Sequence, residues 1–482
     1  VTAPLWTTAE FLTALHARLV GQAPAAITGI SIDSRTLAPG DAFVAIRGDR
    51  FDGHDFVAAA FEAGAATAVV SESRAASFDA TRGPLAVVPD VLAGLNALAA
   101  AARSRTSAKV VAITGSVGKT STKQMLAAAL DAQGLVHASP ASFNNQWGVP
   151  LTLARMPQAA GFGVLEIGMN HAGEIAPLTR LARPDVAIVT AVEPVHLEFF
   201  ASVEDIARAK GEIFEGVPSA GAALINRDNP HYPLLARLAR EAGIGRVLGF
   251  GEHRAAEVRL VRAAAQGGGS TVAARVLGTD VAYKLAAPGR HMLQNSLAVL
   301  GTVALLGGDL ARAGEVLAAF LPGRGRGERA ALALAGGTAT LIDESYNANP
   351  ASMRAGIALL GATSPAGRGR RIAILGDMRE LGASAAELHA ALREPLEAAM
   401  VDRVFLAGPL MGSLWDTLPT HLKGGYGESA GEIEEAVLAA IAPGDVIMVK
   451  GSNASRMGGL VDALKRRFAK DPPNRNRTED AA

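Results

Sequence analysis

The chain of 482 residues reads as an α/β protein of three domains. Three observations predict this. An apolar β-branched run, Val110 to Thr114, ends in a glycine-rich turn and passes straight into a helical pattern. Short apolar runs then alternate with amphipathic stretches to about residue 320, and again from 339 to 468. Between the two series stands Pro322-Gly323-Arg324-Gly325-Arg326-Gly327, where Pro and Gly punctuate rather than extend an element. The expected boundaries are a small N-terminal α/β domain at 1–84, a central parallel-sheet domain at 85–323 and a Rossmann-like doubly wound domain at 324–470. The polar tail, 471–482, is expected to be disordered.

In chain order, helical spacing covers 8–19, and apolar alternation from Ala26 to Arg35 suggests a strand. Strands at 41–46 and 67–70 enclose a helix at 57–63. The central domain places strands at 162–167, 185–190 and 222–226, with helices at 173–181 and 203–214 between them. Two β-like runs within 256–285 read as an antiparallel side element, before helices at 291–306 and 311–320. The last domain alternates strands at 339–343, 371–375, 403–406 and 445–449 with helices at 352–360, 385–400, 432–440 and 455–468. Alternation of this kind implies a parallel sheet covered on both faces.

Composition narrows the function. Apolar residues make up 49% and charged residues 19%, ample for several buried cores. Forty-six Lys and Arg balance 46 Asp and Glu, and no long basic run exists, so no nucleic-acid partner is expected. With no cysteine, disulfides, thiolate metal sites and cysteine nucleophiles are excluded. The first 20 residues carry Glu10 and lack a basic start with a continuous apolar core, unlike a signal peptide. No apolar run approaches 18 residues, the length a membrane helix needs. A cytoplasmic, monomeric protein without a membrane partner is the expectation.

The turn after Val110–Thr114 carries the chemistry. Gly115-Ser116-Val117-Gly118-Lys119-Thr120-Ser121 opens a helix, so its backbone N–H groups can surround a polyphosphate. Lys119 can reach terminal phosphates and the Thr120 hydroxyl can ligate Mg²⁺. The spacing is the short G-x-x-G-K-T, with Ile113 where the longer P-loop has Gly. ATP with Mg²⁺ is the expected cofactor pair, and the central domain is expected to be P-loop ATPase-like.

Other polar residues follow predicted strands, where open α/β sheets bind ligands. Glu166 is a candidate Mg²⁺ ligand or a helix cap. His196 is a metal ligand, a general base or a structural histidine. Lys210, by spacing alone, is a solvated helix lysine. Asn144 and Asn145 form a polar turn. Asp343-Glu344-Ser345-Tyr346-Asn347-Ala348-Asn349-Pro350 either grips a ribose and a base or caps the next helix.

Taken in order, the loop, Asn144-Asn145 with Gly148-Val149-Pro150, Glu166, His196, Ala209-Lys210-Gly211-Glu212, Asn295 and 343–350 resemble the Mur ligases. Asp33-Ser34-Arg35, Asp52-Gly53-His54 and Gly376-Asp377-Met378-Arg379-Glu380-Leu381-Gly382 extend the likeness over nearly the whole chain. The resemblance implies an ATP-dependent ligase that adds D-alanyl-D-alanine (D-Ala-D-Ala) to a UDP-N-acetylmuramoyl-tripeptide (UDP-MurNAc-tripeptide). The alternatives are a sister ligase adding the third amino acid, or a non-catalytic nucleotide-binding relative. It assigns Lys119 and Thr120 to the triphosphate and Mg²⁺, and Glu166 and His196 to the metal site. Lys210 matches a lysine carbamylated in related ligases. Asn295 and Asp343 match nucleotide-contacting positions, with Tyr346 and Asn349 along the adenosine. Ser34 and Arg35 become UDP-end candidates, and Asn144 and Asn145 substrate-binding candidates. The linker arginine expected at the phosphates is Arg326 rather than Arg324, and 322–327 is expected to hinge. One departure stands out: Met292 replaces a frequent Asn in Gly289-Arg290-His291-Met292-Leu293-Gln294-Asn295.

Overall fold

The computed structural model describes residues 4–48, 50–140, 142–266 and 269–469; the expected tail at 471–482 lies outside them. Three sheets of five, nine and six strands follow one another along the chain.

The first sheet runs in the order Arg18–Val20, Leu85–Val88, Thr67–Ser71, Asp41–Val44, Gly29–Ser31. All neighbours are parallel except the pair of Arg18–Val20 with Leu85–Val88. Two strands are additions to the sequence reading. The expected boundary at residue 84 is passed, because Leu85–Val88 is a fully buried run that completes this sheet. The first helix stops at Leu15, because His16 turns left-handed, which frees Arg18–Val20 to pair. Helix Val91–Arg105, capped by Asp90, joins the core of this sheet to Leu151 and Ala154 of the next domain. Trp6 Nε1 donates to Ala154 O across the same boundary, under the Arg105 guanidinium.

The central sheet has the order Thr279–Leu285, Gly269–Val276, Val258–Gln266, Arg246–Gly251, Ala222–Asn226, Val186–Val189, Lys109–Thr114, Phe162–Glu166, Val136–Ala138. Strands from Val136–Ala138 to Val258–Gln266 are parallel, and the last two pairings are antiparallel. The side element expected at 256–285 is therefore three strands, continuous with the sheet through Phe250 and Val258. Val110 and Ala112 face one core and Val111 and Ile113 the other, as a strand covered on both sides requires. The helix expected at 203–214 gives way after Gly211 to a tighter 3₁₀ turn, Glu212–Gly216.

In the C-terminal domain the order is Glu328–Leu334, Gly337–Glu344, Val446–Lys450, Arg371–Gly376, Arg403–Ala407, Lys423–Gly427, parallel apart from the opening hairpin. The single helix expected at 385–400 is two, Ala385–Ala390 and Arg393–Ala398. Pro395 has no N–H, and its ring would meet the Ala391 carbonyl in a continuous helix. Among the described residues no helix is long and apolar enough to cross a membrane.

Candidate active site

The carboxyl ends of the central and C-terminal sheets face one cavity of ≈400 Å³. The phosphate loop forms its floor. Gly115 (φ 149°) and Gly118 (φ 86°) take left-handed backbone that a side chain disfavours. A Cβ on Gly115 would stand 1.9 Å from Thr190 Oγ1, and one on Gly118 2.8 Å from Asn295 Oδ1. The short loop is laced to the neighbouring strand end. Ser116 N–H donates to Ala191 O at 2.7 Å, Ser116 Oγ to Glu193 O at 3.0 Å, and Thr190 Oγ1 to Val117 O at 2.6 Å. Helix Lys119–Asp131 starts at Gly118 with no side-chain cap, leaving its amino end turned to the cavity.

Lys119 Nζ donates to Gly115 O at 2.6 Å. Burial lowers its pKa, Glu166 opposes that shift, and Arg326 adds to it. Thr120 Oγ1 donates to Glu166 Oε2 at 2.8 Å, and Asn144 Nδ2 to Glu166 Oε1 at 2.9 Å. Lys123, one helical turn beyond Lys119, was not singled out by the sequence reading. Its ammonium lies 3.6 Å from Glu166 Oε2 and donates to Ser139 O and Oγ. The i, i+4 spacing was the available signal.

Lys210 is not solvated. It is 2% exposed, and its side chain makes no hydrogen bond or ion pair among the described residues. Burial, with Lys119 nearby, drives its pKa well below 10.5, so the amine tends to the neutral form. Asn295 is buried beside Gly118 and its Nδ2 has no partner, a donor aimed into a cavity that lacks a protein acceptor. Met292 sits in the central core, so the departure from the family pattern is a packing residue.

The opposite wall belongs to the C-terminal domain and its linker. Arg326 lies 3.8 Å over the Tyr346 ring, and both reach Ser142 Oγ of the central domain, at 3.2 and 2.9 Å. Arg324 instead pairs with Asp462 at 2.6 Å on the outside. Asn349 lines the cavity while its Oδ1 caps helix Pro350–Ala362 by accepting from Ser352 N–H at 2.8 Å.

Asp343 does not line the cavity. Its carboxylate is 1% exposed and accepts from Gly325 N–H at 2.9 Å, Ser345 N–H at 3.1 Å and Ser345 Oγ at 2.6 Å. Gly327 N–H donates to Asp343 O and Tyr346 N–H to Gly325 O, so 325–327 are strapped to the C-terminal domain. The carboxylate of this wall that faces the cavity is Glu344, paired with Lys450 Nζ at 3.2 Å. Lys450 and His291 are two further wall residues that sequence reasoning missed. Lys450 ends a strand, the one position that could have marked it.

Lys210, like Asp343, is not part of the cavity lining, and four further expected site residues stand apart. His196 is outside the cavity wall, with Nδ1 at 2.5 Å from Glu380 Oε2 of the C-terminal domain. Asn145 caps its own turn, accepting from Gly148 N–H, and lines a second cavity of ≈820 Å³ with Asn144, Trp147 and Asn96. Arg35 is exposed and forks onto Asp33 at 2.9 and 2.7 Å. Neither it nor Ser34 touches either cavity.

The chain matches three family models in succession: "Mur ligase family, catalytic domain" over residues 26–106, "Mur ligase middle domain" over 113–303 and "Mur ligase, glutamate ligase domain" over 325–453. It is 34% identical over 466 residues to the UDP-N-acetylmuramoyl-tripeptide–D-alanyl-D-alanine ligase of Escherichia coli (strain K12), covering 95% of this chain and 98% of the relative. The protein of that name from Bacillus subtilis (strain 168) is 32% identical, with 91% and 93% covered. Among solved structures, MurF from Acinetobacter baumannii superposes with TM-score 0.84 at 27% identity, covering 96% of this chain and all of that one. MurF ligase from Thermotoga maritima in complex with ADP gives TM-score 0.75 at 26% identity, with 91% and 97% covered. On this likeness, which runs through all three domains, the chain belongs to the Mur ligase family.

Proposed function

We propose that this chain is an ATP-dependent amide-forming ligase that joins D-alanyl-D-alanine to a UDP-MurNAc-tripeptide, in cytoplasmic peptidoglycan precursor synthesis. One observation carries the reading beside the relatives' names. Lys119 and Thr120 face Arg326 and Lys450 across a single cavity made from the strand ends of two domains. That arrangement suits a reaction in which anions must be brought together.

A carboxylate oxygen of the tripeptide attacks the γ-phosphorus of ATP. The bond to the β-phosphate oxygen breaks and ADP leaves, giving an acyl phosphate. The dipeptide amine then attacks the acyl carbon, phosphate leaves, and the nitrogen gives up a proton. The first step opposes like charges. At ~4 Å two unit charges repel by roughly 4 kcal/mol at an effective dielectric near 20. Lys119, Arg326 and the loop N–H groups offset that repulsion and fix the line of attack.

The donor set suits Mg²⁺. Thr120 and Glu166 offer hard oxygens, and among the described residues no group of three or more His, Cys, Asp or Glu can hold an ion alone. Mg²⁺ takes one or two protein oxygens and completes its shell with phosphates and water. Bound there it would spread phosphate charge. A neutral Lys210 amine is the form that adds CO₂, losing a proton to become a carbamate, an anionic oxygen ligand of the kind a second ion needs. His196 is the further candidate ligand.

In this reading the N-terminal domain, whose sheet includes Leu85–Val88, holds the UDP end, with Ser34 and Arg35 as candidates, and Asn144 and Asn145 lie along the substrate. The central domain holds ATP, with its Asn295 and the C-terminal domain's Tyr346 and Asn349 along the nucleoside. Residues 324–470 close over the site as a monomer's lid and admit the dipeptide. Asp343 serves by holding the strap, not by touching nucleotide. Coupled phosphate release tests the assignment. It should need both UDP-MurNAc-tripeptide and D-Ala-D-Ala, and vanish in Lys119→Ala. Turnover with free meso-diaminopimelate would move the chain to the sister ligase. ATP binding with no amide formed on any such substrate would make it a non-catalytic relative.

A further inference from the structure

We propose that Glu380 is a positioning residue, the group through which the docked C-terminal domain orients His196 of the central domain. The proposal rests on the ligase reading above. Two turns meet at this point, one from each domain. His196 (φ 55°) and Glu380 (φ 63°) both occupy the left-handed region, uncommon for residues with a side chain.

They hold each other. His196 Nδ1 and Glu380 Oε2 are 2.5 Å apart, and Glu198 N–H donates to Glu380 O at 3.4 Å. Behind them Gly382 approaches so closely that a Cβ there would lie 3.3 Å from Glu198 Cα. The contact is thus made by side chain and by backbone, between segments far apart in sequence.

The chemistry of an imidazole gives the contact a purpose. A carboxylate on Nδ1 takes that nitrogen's proton as a hydrogen bond and fixes both tautomer and ring plane. In a neutral ring held this way Nε2 carries the lone pair, and no hydrogen bond reaches it among the described residues. Because the carboxylate comes from the other domain, this orientation exists only while the C-terminal domain is docked. Stability is a weak reason for such a pair: the Glu380 side chain is 42% exposed, and exposed pairs contribute little.

The test uses the full chain in the ligase assay, comparing Glu380→Ala, Glu380→Gln, His196→Ala and the double variant E380A/H196A. Gln keeps an oxygen that can accept from Nδ1–H. E380A should lower kcat by about 10–100-fold with little change in the KM for ATP, as loss of a histidine's carboxylate partner does elsewhere. E380Q should recover most of that loss, and E380A should add nothing in the H196A background. The chain has no cysteine, so R240C/E435C can carry two spin labels for an interdomain distance. With Mg²⁺ and a non-hydrolysable ATP analogue, E380A and E380Q should both keep the wild-type distance distribution, because the Glu198–Glu380 backbone contact does not depend on the side chain; a broadened distribution in E380A would make the residue a docking contact and overturn the positioning role. Wild-type turnover in E380A, or a loss that is undiminished in the H196A background, overturns the proposal. A wild-type chain that forms no amide sinks the ligase reading instead, and the imidazole ¹⁵N shifts of His196, which report its tautomer, then decide whether Glu380 fixes the ring.

Discussion

The two walls of the cavity are built on different plans. On the central side, Thr120, Lys123, Asn144 and Glu166 are buried or half-buried and bonded to one another, and the loop is laced to the next strand end. On the C-terminal side, Arg326 and Tyr346 converge on one hydroxyl, Ser142, which belongs to the opposite domain. The first wall is complete within its own domain. The second acquires its geometry by contact. In the proposed reaction, the first wall would hold the nucleotide and Arg326 would answer the developing charge from the second.

The sharpest way to break this contrast is Lys119→Ala. Amide formation should fall by about 10³-fold or more, an effect of the size seen when a phosphoryl-transfer cation is removed. A milder loss would mean that the preformed wall is not where the phosphates are held. Next comes Arg326→Ala, expected to lower kcat by about 10²-fold while nucleotide affinity measured by calorimetry changes less. Arg324→Ala is the control and should be near wild type, since that side chain faces Asp462. Equal losses in the two variants would erase the distinction between the arginines.

Asp343→Asn probes the strap. The amide puts an NH₂ in place of one carboxylate oxygen, so either Gly325 N–H or Ser345 N–H loses its acceptor, leaving a buried donor unpaired at a cost of about 1–3 kcal/mol. Chemical unfolding of the C-terminal domain should show that loss, and turnover should fall with it. Loss of nucleotide affinity with unchanged stability would return Asp343 to a ligand role. The smallest expected effect is acid sensitivity of the C-terminal domain. His389 is fully buried, accepts from Met378 N–H at Nε2 and meets Ala385 O through Nδ1, and burial lowers its pKa. A histidine with a folded pKa below its unfolded value, near 6.5, stabilises fully above that pH and loses the contribution as pH falls toward the folded value. Thermal melts from pH 8 to pH 5 should show the decline, and His389→Gln should flatten it.

Much of the preformed wall is legible in sequence, because it is local. A β-branched strand, two glycines at fixed spacing and a Lys-Thr pair declare it within a dozen residues. The second wall is less so. Asp343 and Glu344 are neighbours on one strand, so they point to opposite faces, and nothing in the order of letters says which face is the cavity. Lys450 carries no motif, and His196 reads as a strand-end ligand because its partner lies 184 residues away. Among the elements, the strand Val136–Ala138 is too short to show alternation. Arg246–Gly251 is diluted by two glycines, and Leu85–Val88 hides behind Gly83-Pro84. In each case tertiary pairing supplies what local pattern lacks.

The strap at 325–327 alters what the linker can be. With Gly325 and Gly327 bonded to Asp343 and Tyr346, the stretch of chain free to turn shrinks to the residues around Leu321 to Gly323. Arg326 therefore rides as cargo on the C-terminal domain rather than swinging on a tether of its own. A single residue added between Gly325 and Gly327 would shift the arginine out of register with the ring and the serine it meets.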